Sequence, residues 1–203
     1  AIAVNPTDDF AAMLATANAG DAFALYPGTY GAATKFTVPA NVEIKAVYPN
    51  DKPVIMGYFS IENNTSLLLK DLVMDGAGLP DGNQSIIFAT VGATYGNLQV
   101  EACEIKNYVK GLIYLNVAAT VESIVINNSI IHDVECSGGD FLDNRLGAYK
   151  VLTLSNSTIY NSVKARDFIR YDNTSAAYPS ILPVFNIENN TLNGVANDVT
   201  RRL

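Results

Sequence analysis

The sequence predicts an all-β chain, a right-handed single-stranded parallel β-helix (a solenoid) with a short N-terminal capping helix. Three observations carry this reading. Five ten-residue phrases superpose without gaps: LLLKDLVMDG from Leu67, LQVEACEIKN from Leu98, IVINNSIIHD from Ile124, LTLSNSTIYN from Leu152 and FNIENNTLNG from Phe185. They return about every 26 to 33 residues, the signature of a repeat array. Inside each phrase the apolar columns are spaced by two, the strand period, and no long amphipathic helix separates one phrase from the next.

Taken in order, the chain starts with PTDDFAAMLATANAGD, which reads as a short helix. Thr7 is the expected N-cap, Asp8 and Asp9 suit the positive end of the dipole, and Gly20 is the stop. Phe10, Met13, Leu14 and Ala17 share one face, so the helix is a lid over the first coil. GDAFALYPGTYG and VEIKAVYPNDKPVIMG then supply early coils with Pro-Gly and Pro-Asn turns. The expected organisation is one domain over 1–203, with the cap at about 1–20 and stacked coils over 21–203.

In the five phrases the first column reads Leu67, Leu98, Ile124, Leu152, Phe185, and the second Leu69, Val100, Ile126, Leu154, Ile187. The third reads Met74, Ile105, Ile131, Ile159, Leu192. The step to the third column is odd, so a corner must intervene. It falls at Asp71, Ala102, Asn128, Asn156 and Asn189, residue types that mostly tolerate left-handed backbone. Asn63, Asn64, Asn127, Asn156 and Asn189 head N-x-S/T matches and are read as corner chemistry rather than as glycosylation sites. Each phrase closes on a turn former: Gly76, Asn107, Asp133, Asn161, Gly194.

A second strand per coil aligns as SIIFATV from Ser85, GLIYLNV from Gly111, DFLDNRL from Asp140, DFIRYDN from Asp167 and DVTRRL from Asp198. Ile87, Ala89, Val91, Ile113, Leu115, Val117, Leu142, Asn144 and Leu146 form the expected inward set. The outward set is Ile86, Leu112, Phe141, Phe168 and Val199, then Phe88, Tyr114, Asp143, Arg170 and Arg201, then Thr90, Asn116, Arg145 and Asp172. Aromatic faces beside forked cationic donors suit sugar recognition, and Arg adds affinity for carboxylate or sulfate. This face supplies the candidate ligand-binding residues Phe88, Tyr114, Phe141, Asp143, Arg145, Phe168, Arg170, Asp172 and Arg201. The competing reading is structural, an outward column under long turns with Asp143 and Arg170 as a cross-strand ion pair. At the far end VFNIENNTLNGVANDVTRRL begins a coil with no capping helix after it, an edge that meets a protein partner or a small disordered tail, or the trace of a longer parent.

Composition narrows the function. The 203 residues are 49% hydrophobic and 16% charged, a folded chain. Twenty acids against 13 bases leave a net charge of −7 and no Lys/Arg run, which excludes a nucleic-acid partner. No apolar run reaches the length of a membrane span, and no signal segment is visible. Cys103 and Cys136 read as two buried thiols, with one disulfide the alternative. With two Cys and one His, a zinc site is not expected. His132 reads as a lone surface histidine, and phosphate-loop and dinucleotide signatures are missing.

AGDAFALYPGTY and the strand-turn coils after it resemble pectate-lyase-type β-helices, in particular the chondroitinase B and alginate lyase group. ARDFIRYDN resembles β-helix domains of unknown function on Bacteroides-type surface proteins. The resemblance implies an extracytoplasmic, cell-surface setting, with a polysaccharide or oligosaccharide as partner. Lyases of that group use basic residues for proton abstraction and calcium held by oxygen ligands. The matching candidates are Lys164, Arg166 and Arg170, with Glu135, Asp140 and Asp143 as calcium ligands. The group's full lysine-to-arginine constellation is not matched. The sequence therefore favours a non-catalytic surface domain that binds glycan or supports a nutrient-uptake assembly. A polysaccharide lyase acting by uronate β-elimination, or a degenerate relative, is the first alternative, and a protein-docking module the second.

Overall fold

The computed structural model describes residues 1–80, 83–172 and 177–197. It is a right-handed parallel β-solenoid with three strand faces and, among the described residues, one short helix. The first face is an eight-stranded parallel sheet running from Ile2–Val4 through Asp21–Leu25, Val42–Ala46 and Leu67–Lys70 to Val184–Glu188. The second face carries Val73–Asp75, Glu104–Lys106, Ile130–His132, Thr158–Ser162 and Thr191–Val195. The third carries Ile86–Phe88, Ile113–Leu115, Leu142–Asn144 and Ile169–Tyr171. The long strand Val54–Ile61 joins these two faces, pairing Val73–Asp75 through its first half and Ile86–Phe88 through its second.

The repeat columns are realised as inward ladders. Leu67, Leu98, Ile124, Leu152 and Phe185 are in register, as are Leu69, Val100, Ile126, Leu154 and Ile187. Met74, Ile105, Ile131, Ile159 and Leu192 stack in the same way on the second face. Except in the last rung these side chains are buried in one continuous core, while intervening positions such as Gln99 face out. Burying each Leu or Ile contributes roughly 1.5–3 kcal/mol, so the columns dominate stability.

The corner between the first and second faces is the left-handed bend that the odd spacing demands. Asp71, Ala102, Asn128, Asn156 and Asn189 have φ of 57, 52, 51, 51 and 55°. The next position forms its own ladder: the Cys103 N–H donates to Ser129 Oγ at 3.2 Å, the Ser129 N–H to Ser157 Oγ at 3.1 Å, and the Ser157 N–H to Asn190 Oδ1 at 2.9 Å. Side-chain acceptors thus satisfy buried backbone donors that the bend removes from the sheet. Cys103 and Cys136 are buried free thiols, and burial pushes the Cys103 pKa up to about 12.

At the start, the lid helix spans Phe10–Ala15, with Asp9 as its N-cap rather than Thr7: Asp9 Oδ1 accepts from the Ala12 N–H at 3.1 Å. Phe10 packs on Phe23, Tyr30 and Phe36 with ring centroids 5.6–5.9 Å apart. Ile2–Val4, assigned to the cap from sequence, instead forms the first rung's strand against Asp21–Leu25. In the last described rung the inward columns are uncovered, with Phe185, Ile187 and Leu192 42%, 43% and 47% exposed.

Candidate functional site

The third face gathers most of the charged candidates. Tyr114, Asp143 and Arg170 stack in one outward column, as their spacing predicts. The neighbour preceding Tyr114 in that column is Ile87 and not Phe88, because Ile86 pairs Ile113 and Phe88 pairs Leu115. A slip of one residue exchanges the two faces of a strand. Phe88 therefore points inward, 2% exposed, and packs on Tyr95 with ring centroids 4.8 Å apart. Leu112, Phe141 and Phe168 precede their strands and are buried as well, Phe141 and Phe168 ring on ring at 5.4 Å. The expected outward aromatic surface thus reduces to Tyr114. Arg201 and Val199 lie outside the described residues. Of the expected inward set, Ile113, Leu115, Leu142 and Asn144 are buried, whereas Ala89, Val91 and Leu146 are exposed because the three-residue strands have already ended.

Around Tyr114 three guanidinium groups converge on one fully buried carboxylate. Asp140 Oδ2 lies 3.0 Å from Arg166 Nη2, 3.5 Å from Arg170 Nη1 and 3.7 Å from Arg145 Nη2. Its Oδ1 accepts from the Asp167 N–H at 3.2 Å. The preceding rung passes close enough to require glycine: a Cβ on Gly111 would lie 2.4 Å from the Asp140 carbonyl oxygen. Asp143 pairs with Arg145, whose Nε and Nη2 donate to it at 3.0–3.1 Å. Arg170 donates to Asp172 from Nε at 2.9 Å and Nη2 at 2.5 Å. The cross-strand pair expected between Asp143 and Arg170 is replaced by these two pairings along the chain. Arg145 also lies over the Tyr114 ring, 5.6 Å from its centroid, a cation–π distance.

The electrostatics follow from burial. Burial raises the Asp143 carboxyl above the usual range, against the opposing hydrogen bonds of Arg145. The hydrogen bonds to Asp143 and Asp172 push Arg145 and Arg170 above the usual guanidinium value, so both stay cationic. Each remains about a quarter to a third exposed in its side chain and keeps N–H donors beyond those the ion pairs use.

The remaining sequence candidates separate from this cluster. Lys164 is 62% exposed in its side chain and pairs with Glu135 at 3.5 Å. Asp140 and Asp143 are occupied by arginines and Glu135 by Lys164, a donor set unlike the uncompensated oxygens that calcium takes. Among the described residues no three His, Cys, Asp or Glu side chains gather to hold an ion. The residues therefore do not fit the calcium site that the resemblance implies.

Sequence reasoning also missed the setting of His132. Its Nε2 lies 2.7 Å from Glu104 Oε1 and its Nδ1 2.5 Å from Asp133 Oδ2, on the outer side of the second face. The register places Glu104 one rung back, diagonal to His132, which is the signal that would have revealed the pairing.

The fold, though not the site, has known counterparts. The fold is that of the PL6 family alginate lyase AlyGC, which superposes with a TM-score of 0.79 at 21% identity over 98% of this chain and 29% of that one. An arginine-to-alanine mutant of the same enzyme gives 0.78 at 20% identity, with the same coverage. The chain thus spans under a third of the length of these neighbours. No curated protein matches the sequence. The family model described as a domain of unknown function, DUF4957, matches residues 28–162, and the chain belongs to that family.

Proposed function

We propose that this domain is a non-catalytic, extracytoplasmic glycan-binding module that takes carboxylate-bearing sugar polymers on its third face, as part of a cell-surface or nutrient-uptake assembly. The observation that carries the proposal is the group of three guanidiniums, Arg145, Arg166 and Arg170, held around Asp140 beside Tyr114. Their ion pairs fix the side chains before any ligand arrives, which lowers the ordering cost of binding. The unused N–H edges offer forked recognition of a carboxylate, and Tyr114 adds a ring face. Rungs repeat at about 4.8 Å, so an extended polymer meets this face in fixed steps. The glycan-active fold of the neighbours supports an extracytoplasmic setting. Among the described residues no helix is long and apolar enough to cross a membrane.

The lyase reading is less well supported by chemistry. β-Elimination needs a base that can accept the proton at C5 of the uronate. Arg170 is pushed further toward its protonated form, and Lys164 lies apart in an exposed pair with Glu135.

The test is a binding screen of neutral and uronate polysaccharides on the purified chain. It is paired with the absorbance of unsaturated uronate products, with and without calcium. Uronate binding with no absorbance rise is expected. A rise would overturn the non-catalytic reading, and binding of neutral polymers alone would overturn the assignment of the third face.

A further inference from the structure

A second, chemically different groove lies on the first face, near the lid. Its volume is about 300 Å³, and Asp21, Asn41, Glu43, Leu68, Asn97 and Gln99 supply its chemistry. One wall is a polar ladder that runs from the residues just before the strands Val42–Ala46 and Leu67–Lys70 into the strands Thr94–Glu101 and Thr120–Asn127. Asn41 Oδ1 accepts from the Ser66 N–H at 2.8 Å, Ser66 Oγ accepts from the Asn97 N–H at 3.0 Å, and Asn97 Oδ1 accepts from Ser123 Oγ at 2.7 Å. The ladder engages the amide oxygens and so orients the amides, with the Nδ2 groups of Asn41 and Asn97 left as donors. Among the described residues neither nitrogen has a protein partner, and the Gln99 carboxamide has none either.

The floor is the outward column Glu43, Leu68, Gln99, three rungs in register. Acceptors sit at one end: Glu43, which has Lys45 at 3.7 Å, and Asp21, whose Oδ2 accepts from the Asn18 N–H at 2.8 Å while Oδ1 is free of protein partners among the described residues. Leu68 is the apolar patch between them. The groove therefore presents fixed amide donors, carboxylate acceptors and one aliphatic surface, in steps of about 4.8 Å.

We propose that this groove binds a neutral, hydroxyl-rich sugar chain. A hydroxyl both donates and accepts, so adjacent hydroxyls can use the amide N–H groups and the carboxylates together. The C–H face of a sugar ring would cover Leu68. Asp21 and Glu43 make the groove repel uronates and sulfated sugars, the opposite selection from the arginines of the third face. The domain would then hold two different polymers on two faces of one rigid stack.

The experiment is backbone-amide NMR on the whole chain with cello-, xylo- and manno-hexasaccharides and, separately, a uronate hexasaccharide. At least one neutral probe is expected to move the amides of 41–43, 66–68 and 97–99, with the uronate leaving them in place. Gln99→Ala, an exposed position outside the core, should weaken that binding about five- to tenfold while the spectrum stays folded. No movement with any neutral probe, equal movement with the uronate, or unchanged affinity in Gln99→Ala would each overturn the proposal. Failure of the third-face reading would show separately, as absence of uronate shifts near 143–145 and 170–172.

Discussion

Tyr160 lies flat against His132, ring centroids 4.8 Å apart and planes 2° apart, while both imidazole nitrogens face carboxylates. Since carboxylates only accept, both nitrogens can donate together only in the imidazolium form. Burial opposes that charge, but the hydrogen bonds and charges of Glu104 and Asp133 outweigh it and raise the pKa above 6.5. Lys106, 3.8 Å from Glu104, is the other charged group at this clamp.

A folded-state pKa above the unfolded value gives stability that is fully present below pH 6.5 and is lost as pH rises through the folded value. Asp133 has the opposite sign: the hydrogen bond from His132 lowers its pKa below 3.8, so its contribution is lost as pH falls through that lowered value. The clamp should therefore hold between the two. Melting midpoints measured from pH 5 to 9 should decline on the alkaline side, and His132→Gln should remove that slope at a cost of about 1–2 kcal/mol near pH 6. Parallel pH profiles for the two proteins would refute the clamp.

Asp140→Asn should lower stability and weaken uronate binding together, because the arginines lose the partner that pre-orders them. The buried carboxylate is the common partner of three guanidiniums, and its loss leaves them facing one another. Because the arginines reach solvent, the expected cost is about 2–3 kcal/mol, below that of breaking a fully buried pair. Denaturant unfolding and titration with oligouronate report the two effects. Unchanged binding in a folded variant would count against the arginines as the contact.

Phe88→Ala should act on folding alone. The ring is an interior partner of Tyr95, and its removal should cost about 3–5 kcal/mol. Binding by the fraction that remains folded should equal that of the parent. A selective loss of affinity with an unchanged melting midpoint would return Phe88 to the ligand surface.

Ala102→Gly should stabilise the protein. Ala102 is the corner residue with neither the amide nor the carboxylate of its counterparts, yet it is held at φ 52°. Relief of left-handed strain, about 1–2 kcal/mol, exceeds the roughly 0.4–1 kcal/mol of added freedom in the unfolded chain. A gain of about 0.5–1 kcal/mol in urea unfolding is expected, and a net loss would show that the corner is unstrained.

The first two faces were legible because they announce themselves twice, through alternating apolar columns and through Asn or Asp where φ turns positive. Ala102 carries only the first signal, and it was still placed by the columns around it. The third face has strands of three residues, too short for alternation to fix register, and Phe88 was assigned to the wrong side for that reason. The pattern Phe59, Ser60, Ile61 in the adjoining strand holds the correction, since Phe59 pairs Ile86 and Ile61 pairs Phe88. At the start, Thr7, Asp8 and Asp9 are all competent caps by residue type. Geometry decides among them, with Asp8 bonded back to the Asn5 N–H and Asp9 left to cap the helix. Glu104 and His132 are distant in sequence, so their meeting depends on a register that composition does not contain.

From Leu67 onward the left-handed corner always spans the same number of residues, from Leu69 to Met74 through to Ile187 to Leu192. All variation in rung length must then enter through the other two connections, and both of these border the third face. Insertions and deletions can raise, lower or reshape the banks of that surface while the stack beneath keeps its pitch. A lineage built on this architecture can change what it grips without redesigning what it stands on.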